Sequence, residues 1–370
     1  MSRSRHLAVV LLAATGATAA AAAVTAQQPA AAPLPRLLLG HRVLRGADFA
    51  TERELPSLPR STAAEWRVDG SWRLDGALLD LGRGERFVFG KDSVSRLQLD
   101  GSVVWSAPTV AGIDFDDRAL AAAQLAGPRL LLRGRGGGVV ALDRASGREA
   151  WHKEAVVDSV LTADHELVCG GGSVGAAGRL WACALGNGAR AFEIDLPGPP
   201  EQIVLAPFGI AVRLATAVVV FDRAGPRLGG LDAPARTLLA GHDGWFLVVP
   251  EAVVSCTRDG RERWRTPRSP LGFEQEQVVS DGGGRLLLVR ACTIADDGAE
   301  VTCLDADDGT VVWTTTLPGL GVTHSKYVQR VSAFVSGGHL VVLSQASGGD
   351  FAEQVALDDG ARGRRVQFSR

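Results

Sequence analysis

The chain has 370 residues, 46% hydrophobic and 22% charged, with 39 basic against 41 acidic side chains and a formal net charge of −2. That is ordinary globular composition, with length enough for a sizeable core. Mild acidity, with lysine only at Lys91, Lys153 and Lys326, argues against nucleic acid or an anionic lipid surface as partner, because both call for clustered basic residues.

The N-terminus reads as a targeting segment. Arg3, Arg5 and His6 form a short basic start, Leu7 to Leu12 is an apolar run, and Val24-Thr25-Ala26 before Gln27 fits a small-residue cleavage site. Residues 1–26 are therefore expected to be a signal peptide, with a retained membrane anchor as the alternative. The protein is expected to be exported: periplasmic, cell-surface or secreted. No cysteine precedes Cys169, which excludes lipobox-type lipidation, and no other stretch is long and apolar enough to span a bilayer. Residues 27–60 contain Pro29, Pro33, Pro35, Pro56 and Pro59 and read as a Pro/Ala-rich tether or arm. Residues 61–370 are expected to form the folded domain.

From residue 77 onward, short β-type runs alternate with turn residues. The first unit has runs at 77–81, 86–90, 94–99 and 102–106. Six more units of four runs follow, over 118–153, 156–195, 202–231, 236–265, 276–316 and 328–368. No helical-period segment of useful length appears outside the signal. The predicted fold is all-β: a β-propeller of four-stranded antiparallel blades. Seven blades are expected, with residues 63–68 adding an outer strand to the last. An eighth, partly degenerate blade is the alternative.

A spaced anchor supports the repeat. Five glycines are each followed four residues later by a large aromatic residue: Gly101/Trp105, Gly147/Trp151, Gly188/Phe192, Gly260/Trp264 and Gly309/Trp313. An acid or amide lies just upstream: Asp100, Asp143, Asn187, Asp259 and Asp305. The Asp-to-Gly distance varies while the Gly-to-aromatic distance does not, as a turn of variable length feeding a strand of fixed register requires. Asp caps the turn and Gly supplies positive φ. The aromatic is placed in the seam against the neighbouring blade, as a structural residue.

The segment Ala141 to Trp151, with Asp143 and Gly147, resembles the tryptophan-docking motif of the pyrroloquinoline-quinone (PQQ)-type propellers, and Cys303-Leu304-Asp305 through Gly309 to Trp313 matches it again. The resemblance covers residues 76–368. That superfamily holds quinone-dependent dehydrogenases and non-catalytic, BamB-type members that work through protein contacts. The chain resembles the second kind more closely. It has no adjacent cysteine pair, and no Asp/Glu/Asn set for calcium can be assigned. The resemblance thus implies an exported non-catalytic scaffold for protein or ligand binding, with no cofactor and a partner among envelope or extracellular proteins. A membrane contact is expected only through an uncleaved N-terminal segment. A dehydrogenase using PQQ and calcium is the alternative.

The remaining chemistry-bearing residues favour bland roles. Export permits disulfides. Cys292 and Cys303 are equidistant from the turn dipeptide Asp297-Gly298, and Cys169 and Cys183 flank residues 170–178. Two hairpin disulfides, Cys292–Cys303 and Cys169–Cys183, are expected with Cys256 free; five buried thiols are the alternative. His165, His242 and His339 fall in separate, alternate units, too far apart for one metal. Asp305, Asp307 and Asp308 lack the spacing and distal Glu of a calcium loop, and Asp114, Asp116 and Asp117 read as a solvated loop. Gly136–138, Gly170–172 and Gly282–284 join strands rather than opening helices, so they read as hairpin turns and not phosphate loops.

Overall fold

The computed structural model describes residues 36–39, 42–54, 65–67, 71–74, 77–80, 83–89, 93–98, 100–108, 120–134, 138–154, 160–268, 276–291, 299–319, 330–346 and 349–368. All belong to one compact unit, Pro33–Arg370. The expected signal peptide, Asp114–Asp117 and Cys292 lie outside the described residues.

Every described element is a β-strand, and the strands form eight antiparallel sheets. The propeller is therefore confirmed, with eight blades in place of the expected seven. Numbered along the chain, sheets 3 to 8 each take four consecutive strands in spatial order, lying within 120–153, 160–196, 202–231, 237–267, 276–317 and 330–368 respectively. Sheet 3, for example, is Leu120–Ala126, Arg129–Gly134, Val139–Asp143 and Glu149–Lys153. Short β-branched and leucine-rich runs joined by tight turns can only pair with their sequence neighbours, which yields this meander. Sheet 2 has five strands, because Ser71–Leu74 pairs with Ala77–Asp80 ahead of the expected four.

Sheet 1 is the additional blade. Arg36–Leu39, Arg42–Arg45 and Ala50–Glu54 form a meander, and Glu65–Arg67 pairs with Arg36–Leu39 on its other side. Residues 36–54 are thus strands where a tether was expected. Their apolar residues explain the difference: Val43, Leu44 and Phe49 are buried, and Leu44, Ala47 and Phe49 pack on Phe334, Val341, Leu343 and Ala352 of sheet 8. The strand expected near 63–68 exists, but it belongs to sheet 1 and not to the outer edge of sheet 8. It runs between Arg330–Ser336 of sheet 8 and Ser71–Leu74 of sheet 2. First and last blades are therefore joined by packing rather than by a shared strand.

The core is a series of layers between sheets. One joins Trp151 and Leu131 of sheet 3 to Trp181 and Val168 of sheet 4; another joins Leu287 and Trp313 of sheet 7 to Leu340 and Val355 of sheet 8. In the most enclosed strands both faces are covered. Gly244–Val249 and Val218–Phe221 are buried at every residue.

The expected disulfides are not formed. Cys169, Cys183, Cys256 and Cys303 are free and buried. Across the hairpin, Cys169 faces Ala182 while Cys183 faces Val168. A one-residue offset puts the two thiols on opposite faces, and they join different apolar layers. Cys303 faces Leu287, in a register that pairs Ala291 with Ala299. Glycines 170–172, expected as a turn, lie inside the strand Leu167–Val174. Their lack of side chains has a packing cause: a Cβ on Gly170 would drive into the Trp181 indole, and one on Gly171 would come within 2.8 Å of Pro200.

Candidate functional site

The anchor residues meet at the seams between neighbouring sheets. Trp105 of sheet 2 lies on Gly147 of sheet 3, where a Cβ would come 2.5 Å from the indole, and its Nε1 donates to the Arg144 carbonyl at 3.1 Å. Trp151 lies on Gly188 and donates to the Leu185 carbonyl at 2.9 Å. Trp264 lies on Gly309 and donates to Ala306 at 3.0 Å; Trp313 lies on Gly360 and donates to Leu357 at 2.9 Å. Phe192 lies on Gly225 without such a bond. Each aromatic thus docks on the glycine turn of the following blade.

The turns come in two lengths. In the longer kind the glycine amide donates four residues back, as Gly147 to the Asp143 carbonyl and Gly309 to Asp305. The shorter kind reaches three back, as Gly101 to Gln98 and Gly260 to Thr257. The capping acids accept local donors. Asp143 Oδ1 takes the Ser146 amide at 3.0 Å and hydroxyl at 2.8 Å, and Asn187 Oδ1 takes the Ala189 amide at 3.0 Å. The Ser146 hydroxyl and amide hold Asp143 below the usual carboxylate range, and the Ser102 amide and hydroxyl do the same for Asp100. Asp305 accepts the amides of Asp307 and Asp308. These are turn caps.

Two seams also carry guanidinium clamps that the anchor pattern does not mark. Arg144 of sheet 3 is buried and pairs with Asp80 and Glu85 of sheet 2, donating Nε to Glu85 at 2.9 Å. Arg223 of sheet 5 pairs with Asp164 at 2.7 Å and Glu166 at 3.2 Å, both of sheet 4. In each case the arginine sits in the anchor turn and the acids flank a hairpin of the preceding blade, Ala77–Asp80 to Glu85–Phe89 in sheet 2 and Val160–Ala163 to Leu167–Val174 in sheet 4. The dipeptides Asp143-Arg144 and Asp222-Arg223 were the available signal. The seams from sheet 5 to sheet 6 and from sheet 8 to sheet 1 have another residue at the aromatic position. Four residues after Gly225 stands Gly229, pressed against the Asp259 carbonyl. Four after Gly360 stands Arg364, whose Nη1 donates to the Asp48 carbonyl of sheet 1 at 3.1 Å.

Among the described residues the candidates stay apart. His165 is exposed beside Glu166, His242 is exposed, and His339 contacts the Gly337 carbonyl; they occupy sheets 4, 6 and 8. The four described thiols are pushed up by burial, Cys169 and Cys256 to about 12 and Cys183 and Cys303 to about 11, so they are poor nucleophiles. Among the described residues no three His, Cys, Asp or Glu side chains gather to hold a metal ion.

A family model described as outer membrane protein assembly factor BamB matches residues 90–250 and 250–366. The chain belongs to the BamB family. Among solved structures, BamB from Moraxella catarrhalis is 16% identical, with a TM-score of 0.51 over 73% of this chain and 78% of that one. Sqt1 from Saccharomyces cerevisiae is 12% identical, with a TM-score of 0.54 over 76% and 82%. The quinohemoprotein alcohol dehydrogenase ADHIIG from Pseudomonas putida is 11% identical, with a TM-score of 0.52 over 80% and 67%. At these identities the likeness is one of fold alone. No curated protein matches the sequence.

Proposed function

We propose that this BamB-family chain is an exported, non-catalytic propeller that acts as a protein-interaction scaffold in the cell envelope. The observation that carries this is the family match across 90–366. The use of buried charge is in keeping with it: Arg144 and Arg223 are spent on blade-to-blade pairing with Asp80 and Glu85 and with Asp164 and Glu166. A rigid frame with variable turns is suited to holding partner proteins. The expected partner is another envelope or extracellular protein.

Photo-crosslinking in intact cells tests the reading, with the reactive group placed at exposed turn residues such as Asp308 or Asp359. Discrete adducts from the exported protein, changing with the turn chosen, are expected. The competing quinone-dependent reading is tested by calorimetry with PQQ and calcium. Stoichiometric binding with alcohol or sugar dehydrogenase turnover overturns the scaffold reading. N-terminal sequencing of the exported protein is expected to begin at Gln27.

A further inference from the structure

The seam between sheets 6 and 7 differs from the others at one position. The residues whose carbonyls receive a docked indole are Arg144, Leu185, Ala306 and Leu357. Three of the four are large; Ala306 leaves its place open. A cleft of ≈ 60 Å³ lies there, lined by His242, Asp243, Ser255 and Arg263 of sheet 6 and by Ala306 and Asp307 of sheet 7. That is room for a head group of a few heavy atoms. Cofactor and drug-sized ligands take about 300–1,000 Å³.

At the equivalent hairpins the acids Asp80/Glu85 and Asp164/Glu166 receive the guanidinium of the next blade, Arg144 or Arg223. In sheet 6 the hairpin acid is Asp243. The next blade offers it no guanidinium. Arg263 of its own sheet holds it instead, with Nη1–Oδ1 at 2.7 Å and Nη2–Oδ2 at 2.9 Å. Arg263 reaches it because it is the extra residue of a β-bulge, with Ser255 opposite Trp264 and Cys256 opposite Glu262.

Two acceptors in the cleft are left over. Ser255 is only 2% exposed, yet it lines the cleft and its hydroxyl has no hydrogen-bond partner among the described residues. Asp307 is exposed and, among the described residues, makes no ion pair at contact distance, although its charge also acts on Arg263 of the same cleft. Both Nη atoms of Arg263 are already occupied by Asp243, which disfavours an anion. We infer that this cleft receives the guanidinium of an arginine from a partner protein, in the place that Arg144 and Arg223 fill elsewhere in the chain. A planar fork of donors suits carboxylate and hydroxyl acceptors at such close quarters. The inference rests on the scaffold reading and adds the chemistry of one contact.

The test is amide NMR of the full chain titrated with the capped tripeptide Gly-Arg-Gly and with its citrulline counterpart, a neutral isostere. Saturable shifts at Gly282, Gly284 and Asp307 are expected with arginine. Citrulline should bind at least roughly tenfold more weakly, the loss of about one charge-assisted hydrogen bond. Ala306→Arg, which fills the cleft from within, should abolish the shifts, and Asp307→Asn should weaken them without unfolding the chain. No saturable shift, equal shifts with citrulline, or shifts unchanged in Asp307→Asn each overturn the proposal. Crosslinked partners found while the peptide fails to bind would retain the scaffold and remove this cleft as its arginine site.

Discussion

At the scale of single residues, the seams rest on an aromatic ring and an absent side chain. Trp151 is 7% exposed, stacks on Gly188 and donates to Leu185. Trp151→Ala is expected to cost about 3–5 kcal/mol, and Trp151→Phe about 1–3 kcal/mol, since it keeps most of the packing but strands a buried carbonyl. Urea denaturation of the two variants checks the order. Gly188→Ala should also destabilise, by about 1–3 kcal/mol, because the residue has φ +70° and its Cβ would lie 2.8 Å from the indole. The thiols give a second prediction. Burial lifts Cys169 and Cys256 to about 12 and Cys183 and Cys303 to about 11. The unfolded chain binds fewer protons at these sites once pH passes the ordinary thiol value near 9. Their contribution is therefore intact below pH 9 and is lost as pH rises towards 11–12. Chemical denaturation between pH 8 and 11 should show falling stability, with a shallower fall in Cys303→Ala. At pH 8 a thiol reagent should leave these four unlabelled until the chain unfolds.

At the scale of elements, the outer strand of sheets 2 to 7 carries a recurring bulge just before the docking position, which holds an aromatic in all of them but sheet 5. Val104, Ala150, Ala191, Leu228, Arg263 and Val312 are the extra residues in sheets 2 to 7. The bulge explains why Val104, Leu228 and Val312 are exposed: the strand needs an extra residue there to aim the ring, and the twist discourages edge-to-edge pairing. The clamps act between the same elements. Burial alone would raise the Asp164 carboxyl, but Arg223 and the amides of Leu167 and Glu166 outweigh it and hold it below its ordinary value. This contribution is present above about pH 4 and is lost as pH falls through the lowered value. Asp164→Asn should therefore be less stable at neutral pH and lose less on acidification from pH 4 to 2, as followed by tryptophan fluorescence. The strand repeats and the five anchor pairs were legible because a tight turn demands glycine and a fixed register demands the four-residue spacing. The clamps were not, because an arginine in a turn looks like any solvated charge until the facing acids of the preceding blade are placed. Nor was the fate of Cys169 and Cys183, since a hairpin's register decides which face each thiol takes.

At the scale of the whole molecule, the eighth blade closes the ring with its markers worn away. Its turn keeps Asp48, but the glycine position is taken by Phe49, at φ 50°, with its amide donating three residues back to Gly46 at 3.3 Å as in the short anchor turns. The aromatic that should dock on it from sheet 8 is Arg364. With neither glycine nor tryptophan, the pattern that finds the other blades passes over residues 36–54, and the prolines around them suggest a tether. The buried contact is nonetheless extensive: Leu44, Ala47 and Phe49 cover Phe334, Val341, Leu343 and Ala352, and Gln354 donates to the Ala47 carbonyl. Removing residues 1–67 should uncover that face of sheet 8 and leave unpaired the Asp48 and Ala47 bonds that Arg364 and Gln354 now make. A chain beginning at residue 68 is expected to bind a hydrophobic dye, to self-associate in size-exclusion chromatography and to lose a sharp thermal transition. A chain beginning at Pro33 should behave as the full protein does, because the strands and the closing seam are retained. If the chain beginning at residue 68 stays monomeric with an unchanged transition, seven sheets close without the first, and its packing on sheet 8 is not what holds the ring together.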